Sequence, residues 1–199
     1  VMARPRSFDP DVVLDKAAEA FRAKGYKATS LPDLEKATGL RRASLYAAFK
    51  DKHSLYLAAL KRYDATHAAR LADELAAAPT GRKALERLFE LVLGECGGES
   101  SGCLMANAAM ERAVSDTGAE RCVSDNRKRV EGALQAAVAR GRKDGSLKGR
   151  GDAAVASRYL FSVVLGLRSL AKSGCTCAKL KEVVQIALKS VRFFYRVID

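Results

Sequence analysis

SLPDLEKATGLRRASLYAAFKDKHSLYLAAL, residues 30–60, packs two short helices and the start of a third, longer one into a single stretch. Ser30 is a good N-cap, and Asp33, three residues on, is a shorter version of the capping-box acid. Leu31, Leu34 and Ala37 give the helix that follows one buried face. Gly39 supplies a tight turn, and another helix runs from about Arg41 to Phe49, anchored by Leu45 and Phe49. Two short helices joined by a short glycine-containing turn have helix-turn-helix geometry. Asp51 can then cap the next helix.

Working outward, Asp9 and Pro10 suit the cap and first position of an opening helix. Val13, Ala17, Ala20 and Phe21 recur there at helical spacing, with Asp15, Lys16, Glu19 and Arg22 on other faces, until Gly25 ends it. In a helix-turn-helix the second helix of the pair lies in the major groove and its N-terminal residues reach base edges. Here those residues are Arg41, Arg42, Ser44 and Tyr46. Arginine can donate two hydrogen bonds to guanine, serine can donate or accept, and a tyrosine hydroxyl can hold a phosphate. Lys50 and Lys52 follow. Each of these residues alone reads as ordinary basic surface, but the pattern over fifty residues implies sequence-specific DNA binding.

Residues 8–60 resemble the DNA-binding head of the TetR/AcrR family of one-component bacterial transcriptional regulators. The matching positions are Ala17, Phe21, Gly25, Tyr26, Thr29, Leu34, Gly39, Ser44, Leu45, Tyr46, Phe49, Lys52 and Leu55. The resemblance implies a three-helix head over residues 1–51, and a helical effector-binding and dimerisation domain over residues 52–199 that begins with a long linking helix. It also implies that Thr29 and Ser30 contact phosphate, that Tyr46 meets the DNA backbone or a thymine methyl, and that Lys52 holds phosphate. Ala47 and Ala48 stand where many members have aromatic or histidine residues, which shifts the expected base readout onto Arg41, Arg42 and Ser44.

Composition agrees with this class. A chain of 199 residues is long enough for a real core. Its net charge of +12, from 35 Lys and Arg against 23 Asp and Glu, favours a polyanionic partner. Basicity alone is weak, and the clusters Arg127, Lys128, Arg129 and Arg140, Arg142, Lys143 read as solvated helix faces. No run reaches the roughly 18 consecutive apolar residues of a membrane span. The basic start VMARPRSFDP leads into an amphipathic helix rather than an apolar segment, so no signal peptide is read.

Beyond residue 51 the pattern stays helical. A fourth helix runs to about Ala77, and a fifth carries Leu85, Leu88, Phe89 and Val92 to Gly94. The glycine-rich stretch 97–102 reads as a mobile loop. A sixth helix spans CLMANAAMERAV, a seventh runs from about Thr117 to Gly141, an eighth from the Asp152 cap to about Lys172, and a ninth from about Lys179 to Val197. The last two are apolar around much of their circumference, as helices covered by another chain are. Tyr159, Val163, Leu167, Leu170, Val184, Leu188 and Val191 are accordingly the expected dimer interface, with Phe194 beside them. A two-fold dimer predicts an inverted-repeat operator.

The fifth to eighth helices can enclose an effector pocket. GCLMANAAMER, residues 102–112, resembles a segment recurring at this point in part of the family. Phe89, Cys103, Met105, Met110 and Phe161 are candidate apolar lining, and Asn107 and Glu111 candidate polar selectors, although Met and Phe at helical spacing also read as plain core. Five cysteines, an odd number without a secretory signal, suit reduced thiols in the cytoplasm. Cys103 falls at a helix N-terminus, where the dipole favours thiolate. Cys96 and Cys103 flank the glycine-rich loop, and Cys175 and Cys177 form a C-x-C pair, a poor frame for structural zinc. No Ser/His/Asp set, carboxylate pair or phosphate-cradling loop supports the small helical enzyme that is the rival from another class. The expectation is an all-α, cytoplasmic, homodimeric repressor released from operator DNA by a small molecule, without cofactor, metal or membrane partner. The alternative is a switch by cysteine oxidation or electrophile modification.

Overall fold

Nine α-helices carry the regular structure of the described residues, which are 8–94, 102–149 and 151–192 of this computed structural model. In chain order they are α1 (Pro10–Lys24), α2 (Leu31–Thr38), α3 (Arg42–Phe49), α4 (Lys52–Ala77), α5 (Gly81–Gly94), α6 (Leu104–Glu111), α7 (Thr117–Lys143), α8 (Ala153–Lys172) and α9 (Cys177–Arg192). The all-α expectation holds. Cys96, most of the stretch expected to be a mobile loop, and Phe194 lie outside the described residues.

The helix starts follow from capping chemistry. Asp9, Asp51, Asp116 and Asp152 each accept from backbone N–H groups of the first turn they precede. At α2 both halves of the Ser30–Asp33 capping box are formed, so two otherwise orphaned donors are satisfied by residues three apart. Gly39 turns the chain between α2 and α3 in the left-handed region at φ 75°, which glycine adopts without a Cβ penalty.

Two apolar clusters organise the molecule. The first joins the head to the rest: Val13, Ala17, Phe21, Leu34 and Leu45 pack with Leu55, Tyr56 and Leu60 of α4, with Leu104, Met105 and Ala108 of α6, and with Ala119 and Cys122 of α7. The second is built from α5, the later part of α7, α8 and α9, around Leu88, Phe89, Leu134, Leu160 and Leu167. Asp51, where the expected head ends, caps α4, and the apolar core of α1–α3 continues into α4, α6 and α7.

Three contacts hold α4, α5 and α7 together. The Arg140 guanidinium donates to the carbonyls of Leu75 and Ala76 at 2.6 and 2.9 Å, at the C-terminal end of α4. Arg140 is thus a cap on another helix and not a solvated face, because the last carbonyls of α4 have no intrahelical donor. Arg129 is likewise engaged, with the buried carboxylate of Asp64. Gly81, the first residue of α5, lies against the backbone of Gly141 on α7, so closely that a Cβ there would overlap the Gly141 nitrogen and the Ala137 carbonyl.

The expected dimer residues separate into two groups. Leu167, Val184 and Val191 are 1%, 7% and 1% exposed and belong to the protomer's own core, which corrects their assignment to an interface. Helical spacing puts them on the stripe that α8 and α9 turn toward α5 and α7, a distinction invisible in helices apolar on several sides. Tyr159, Val163 and Leu188 are half-buried at the edge of that core, and Leu170 is exposed, as are Val183 and Ile186. By length and composition α8 is apolar enough to cross a membrane, and only 28% of its most apolar 18 residues are buried in the protomer. Much of an apolar helix is thus left uncovered by the described part of its own chain.

Replacing Gly81 with Ala should force α5 and α7 apart, because the obstructing atoms are backbone. The expected loss is about 1–3 kcal/mol, the usual cost of overpacking. Urea unfolding followed by circular dichroism measures it; an unchanged midpoint would show that the two helices separate freely.

Candidate nucleic-acid interface and its link to the cavity

The outer face of α3 is held by one residue on its inner face. Leu45 is 1% exposed and packs beside Leu34, which is fully buried. Opposite Leu45, the side chains of Arg41, Arg42, Ala43, Ser44 and Ala47 are exposed, and Tyr46 is half-buried with the Arg42 guanidinium 5.4 Å from its ring centroid. The N-terminus of α3 has no side-chain cap of its own. Glu35 on α2 fills that role from across the turn, accepting from the Arg42 N–H at 2.6 Å. The capping bond that completes α3 thus also ties the two helices of the motif together. Lys50 closes α3 in the left-handed region at φ 72°, the only non-glycine residue to do so among those described, and its side chain is exposed.

Thr29 and Ser30 behave differently from each other. Ser30 is exposed at the start of α2. Thr29 is fully buried, and its hydroxyl donates to the Gly25 carbonyl at 2.6 Å, closing the turn between α1 and α2. Its side chain is not presented to a phosphate, which corrects the role the resemblance implied. Lys52 sits at the first position of α4 with its ammonium 4.6 Å above the Tyr26 ring, where burial lowers its pKa. The Arg112 guanidinium lies 4.7 Å from the centroid of the same ring. Tyr26 also packs on Tyr56, with centroids 4.7 Å apart.

The segment 102–112 does two jobs, and they fall on opposite faces. Cys103, Met105 and Ala106, with Ala109, line a cavity of about 580 Å3 bounded by α4, α5, α6, α7 and α8, and Phe161 lines it from α8. Asn107 and Glu111, one turn apart, point to the head instead. The Asn107 Nδ2 donates to the Arg22 carbonyl at 2.9 Å, at the C-terminal end of α1, and its Oδ1 accepts from the Lys172 ammonium at 2.9 Å. Glu111 accepts from the Tyr26 N–H at 2.8 Å and fills the space a Cβ on Gly25 would need. Gly25 has φ 82°, so glycine is required there on both counts. Asn107 and Glu111 are therefore corrected from polar selectors to a clasp on α1. The reason is helical phase: at about 100° per residue, positions 107 and 111 are roughly opposite 105 and 109. Met110 is 75% exposed, outside the cavity, and Phe89 is 1% exposed, in the core behind its wall.

Sequence reading missed Glu35, Tyr26 as a contact point, Lys172 and the cavity arginines Arg70, Arg87, Arg127 and Arg168. Nothing local marks them. A second hollow of about 700 Å3 lies between α4 and α7 and is lined by Leu57, Ala65, Ala68 and Cys122, with Asp64 bonded there to Asn126 and Arg129. Burial raises the pKa of the Cys122 thiol. Cys103, Cys122 and Cys175 are free thiols. Among the described residues no group of His, Cys, Asp and Glu could hold a metal ion.

Residues 13–59 match the model of the tetR family of bacterial regulatory proteins. Over 94% of its length the chain is 30% identical to the uncharacterised HTH-type transcriptional regulator YezE of Bacillus subtilis strain 168, covering 98% of that protein. It is 27% identical to the HTH-type transcriptional repressor ComR of Escherichia coli strain K12, covering 94% of this chain and 90% of ComR. Among solved structures it is similar to a cysteine mutant of the TetR family regulator CifR in complex with a 26-base-pair operator duplex. That likeness has a TM-score of 0.81 at 32% identity and covers 94% of this chain and 99% of that one.

The start of α2 carries a pH-dependent contribution to stability. The Lys24 ammonium, donating at 2.5 Å, and then the Ser30 hydroxyl and N–H hold the Asp33 carboxyl far below the ordinary value of 3.8. A depressed carboxylate stabilises the fold fully above its unfolded pKa and loses that contribution as pH falls below it. Asp33→Asn should therefore melt earlier than the parent at neutral pH, and the two curves should converge in acid. Equal melting temperatures at neutral pH would remove Asp33 from the account.

Proposed function

The chain belongs to the TetR family of bacterial transcriptional regulators, and from that premise we propose that it is a repressor that binds an inverted-repeat operator as a homodimer and releases it when a small molecule fills the cavity. It is a DNA-binding regulator and, like its relatives, not an enzyme. The repressor of E. coli among those relatives supports the sign of regulation. A cytoplasmic site of action follows from an operator as target.

The observation that carries the reading is the double face of α6. Met105 and Ala109 line the cavity while Asn107 and Glu111, on the same eight-residue helix, clasp the end of α1. A ligand that moves α6 outward or rotates it strains one set of contacts or the other, since the helix is too short to bend between them. The head is bonded to α4 as well, through Arg62, which donates to Asp11 and Asp15 at 2.8 and 3.0 Å. Motion of α1 and α4 together would change the spacing of two heads in a dimer. A ligand that binds the misfitting spacing better by about 1–3 kcal/mol would weaken operator binding about 5–150-fold.

Arg41, Arg42 and Ser44 are assigned to base edges, Ser30, Tyr46, Lys50 and Lys52 to phosphates, and Tyr159, Val163, Leu170 and Leu188, with Val183 and Ile186, to the dimer interface. Isologous packing of exposed apolar residues on α8 and α9 would cover the uncovered side of α8. A covalent trigger is the second reading. Cys103 favours it, because the thiol stands at the N-cap of α6 and on the cavity wall, where an electrophile entering the cavity would meet it.

Selection of genomic fragments with the purified protein, followed by sequencing, should enrich an inverted repeat. On that repeat Arg42→Ala should cost about 1–3 kcal/mol and relax base preference, whereas Lys52→Ala should weaken all sequences alike and lower the salt slope by about one. Uniform recovery of fragments would remove base readout from α3. Asn107→Ala, which opens the clasp without touching α3, should weaken the operator complex by about 5-fold or more at unchanged helical content. An unaltered affinity would take α6 out of the switching mechanism.

A further inference from the structure

Lys52 stands where a cation is disfavoured. It is the first residue of α4, at the positive end of the helix dipole, and it is half-buried, so the dipole and the loss of water both act against its charge. Burial is the largest influence on the ammonium, and the carboxylates whose charge favours it are Asp33 and Glu111. Neither pairs with it directly. Asp33 is taken by the Lys24 ammonium and by Ser30, and Glu111 by the Tyr26 N–H. What meets the ammonium is the Tyr26 ring, its centroid 4.6 Å away. That ring is itself held from two elements. Glu111, at the end of α6, fixes its backbone, and Arg112, anchored to Asp116 at 2.9 Å, lies 4.7 Å from its centroid. On the α4 side Tyr56, 1% exposed, packs against it with centroids 4.7 Å apart.

Resting on the assignment of Lys52 to a DNA phosphate, we propose that Tyr26 is the positioning residue for that contact: its ring holds the ammonium at the start of α4 and leaves the N–H donors of the ammonium to the phosphate. A carboxylate would hold the charge equally well, but it would occupy those donors and repel the phosphate. The face of an aromatic ring attracts a cation through its quadrupole and needs no conventional hydrogen bond to do so. Among the described residues no hydrogen bond or ion pair engages the Lys52 ammonium, as this arrangement requires. A lysine stem held in one place also loses less rotamer freedom when a phosphate arrives.

The test is binding of the full chain to a labelled mixed-sequence DNA duplex and to the enriched inverted repeat, followed by fluorescence anisotropy across a salt series. Tyr26→Phe keeps the negative ring face, whereas pentafluorophenylalanine at position 26 keeps the shape and reverses the quadrupole. The fluorinated variant should bind both duplexes about threefold or more weaker than Tyr26→Phe and lower the salt slope by up to about one. Tyr26→Leu, which removes the ring, should lose at least as much. In a Lys52→Ala background these differences should vanish, because the ammonium that the ring holds is gone. Equal binding by the Tyr26→Phe and fluorinated variants would overturn the proposal. So would a loss of the same size with and without Lys52, which would make Tyr26 a packing residue of the head while Lys52 keeps its phosphate. If Lys52→Ala alone changes neither affinity nor salt slope, the phosphate assignment fails and the proposal fails with it.

Discussion

Phe21 meets the edge of Tyr56 with ring centroids 5.0 Å apart at an interplanar angle of 74°, and both rings are withdrawn from solvent. Edge-to-face pairs place the positive rim of one ring on the negative face of the other, so the contact resists both sliding and rotation. Phe21 belongs to α1 and Tyr56 to the first turns of α4, and around them gather Leu34, Leu45, Leu104 and Ala108. The elements proposed to meet DNA are positioned from this junction. Leu45 sets α3 against it, Gly25 and Tyr26 leave it toward the α6 clasp, and α4 carries it toward the cavity. A head sharing its apolar core with α6 and α7 cannot shift without disturbing them.

The basic surplus of the chain is divided between surface and structure. Arg41, Arg42 and Lys50 stand exposed on or beside α3, where a polyanion can approach. Other cations are spent inside the fold on definite partners. Arg140 caps α4, Arg129 answers the buried Asp64, and Arg112 donates to Asp116 at 2.9 Å. Burial alone would raise the Asp116 carboxyl, but Arg112, the Ala119 N–H and His53 together hold it below its ordinary value. Breaking such a pair leaves a buried charge without compensation, which costs far more than losing a surface ion pair. Net charge therefore overstates the surface available to DNA, because part of it is tied to partners within the fold.

Cavity and clasp are two sides of one short helix, and this economy makes the regulatory reading physical. Eight residues of α6 give two turns, enough for Met105 and Ala109 to face one way and Asn107 and Glu111 the other. Lys172, at the end of α8, adds its ammonium to Asn107, so a third element shares the contact. Coupling between cavity and head then needs no long path through the protein. It needs only a rigid element with different partners on its two faces.

The helices and most of their starts were legible from the chain alone, whereas α6 stops at Glu111, short of the expected Val114, and the expected end of the ninth helix at Val197 lies outside the described residues. Asp9, Ser30, Asp51 and Asp152 act on residues two or three positions away, Gly39 on its own backbone, and apolar periodicity on a single helix, so a linear reading contains all of the interacting parts. The helix-turn-helix and the exposed Arg41, Arg42 and Ser44 follow from such local terms. The roles of Thr29, Asn107, Glu111, Leu167 and Arg140 did not. A buried hydroxyl closing a turn and a polar pair reaching 85 residues back to α1 depend on which face each helix turns to a distant neighbour. So does an arginine capping a helix 64 residues earlier. Sequence determined the elements because their stabilising contacts lie within one turn; tertiary structure decided the site because only packing brings together donors and acceptors that lie far apart along the chain.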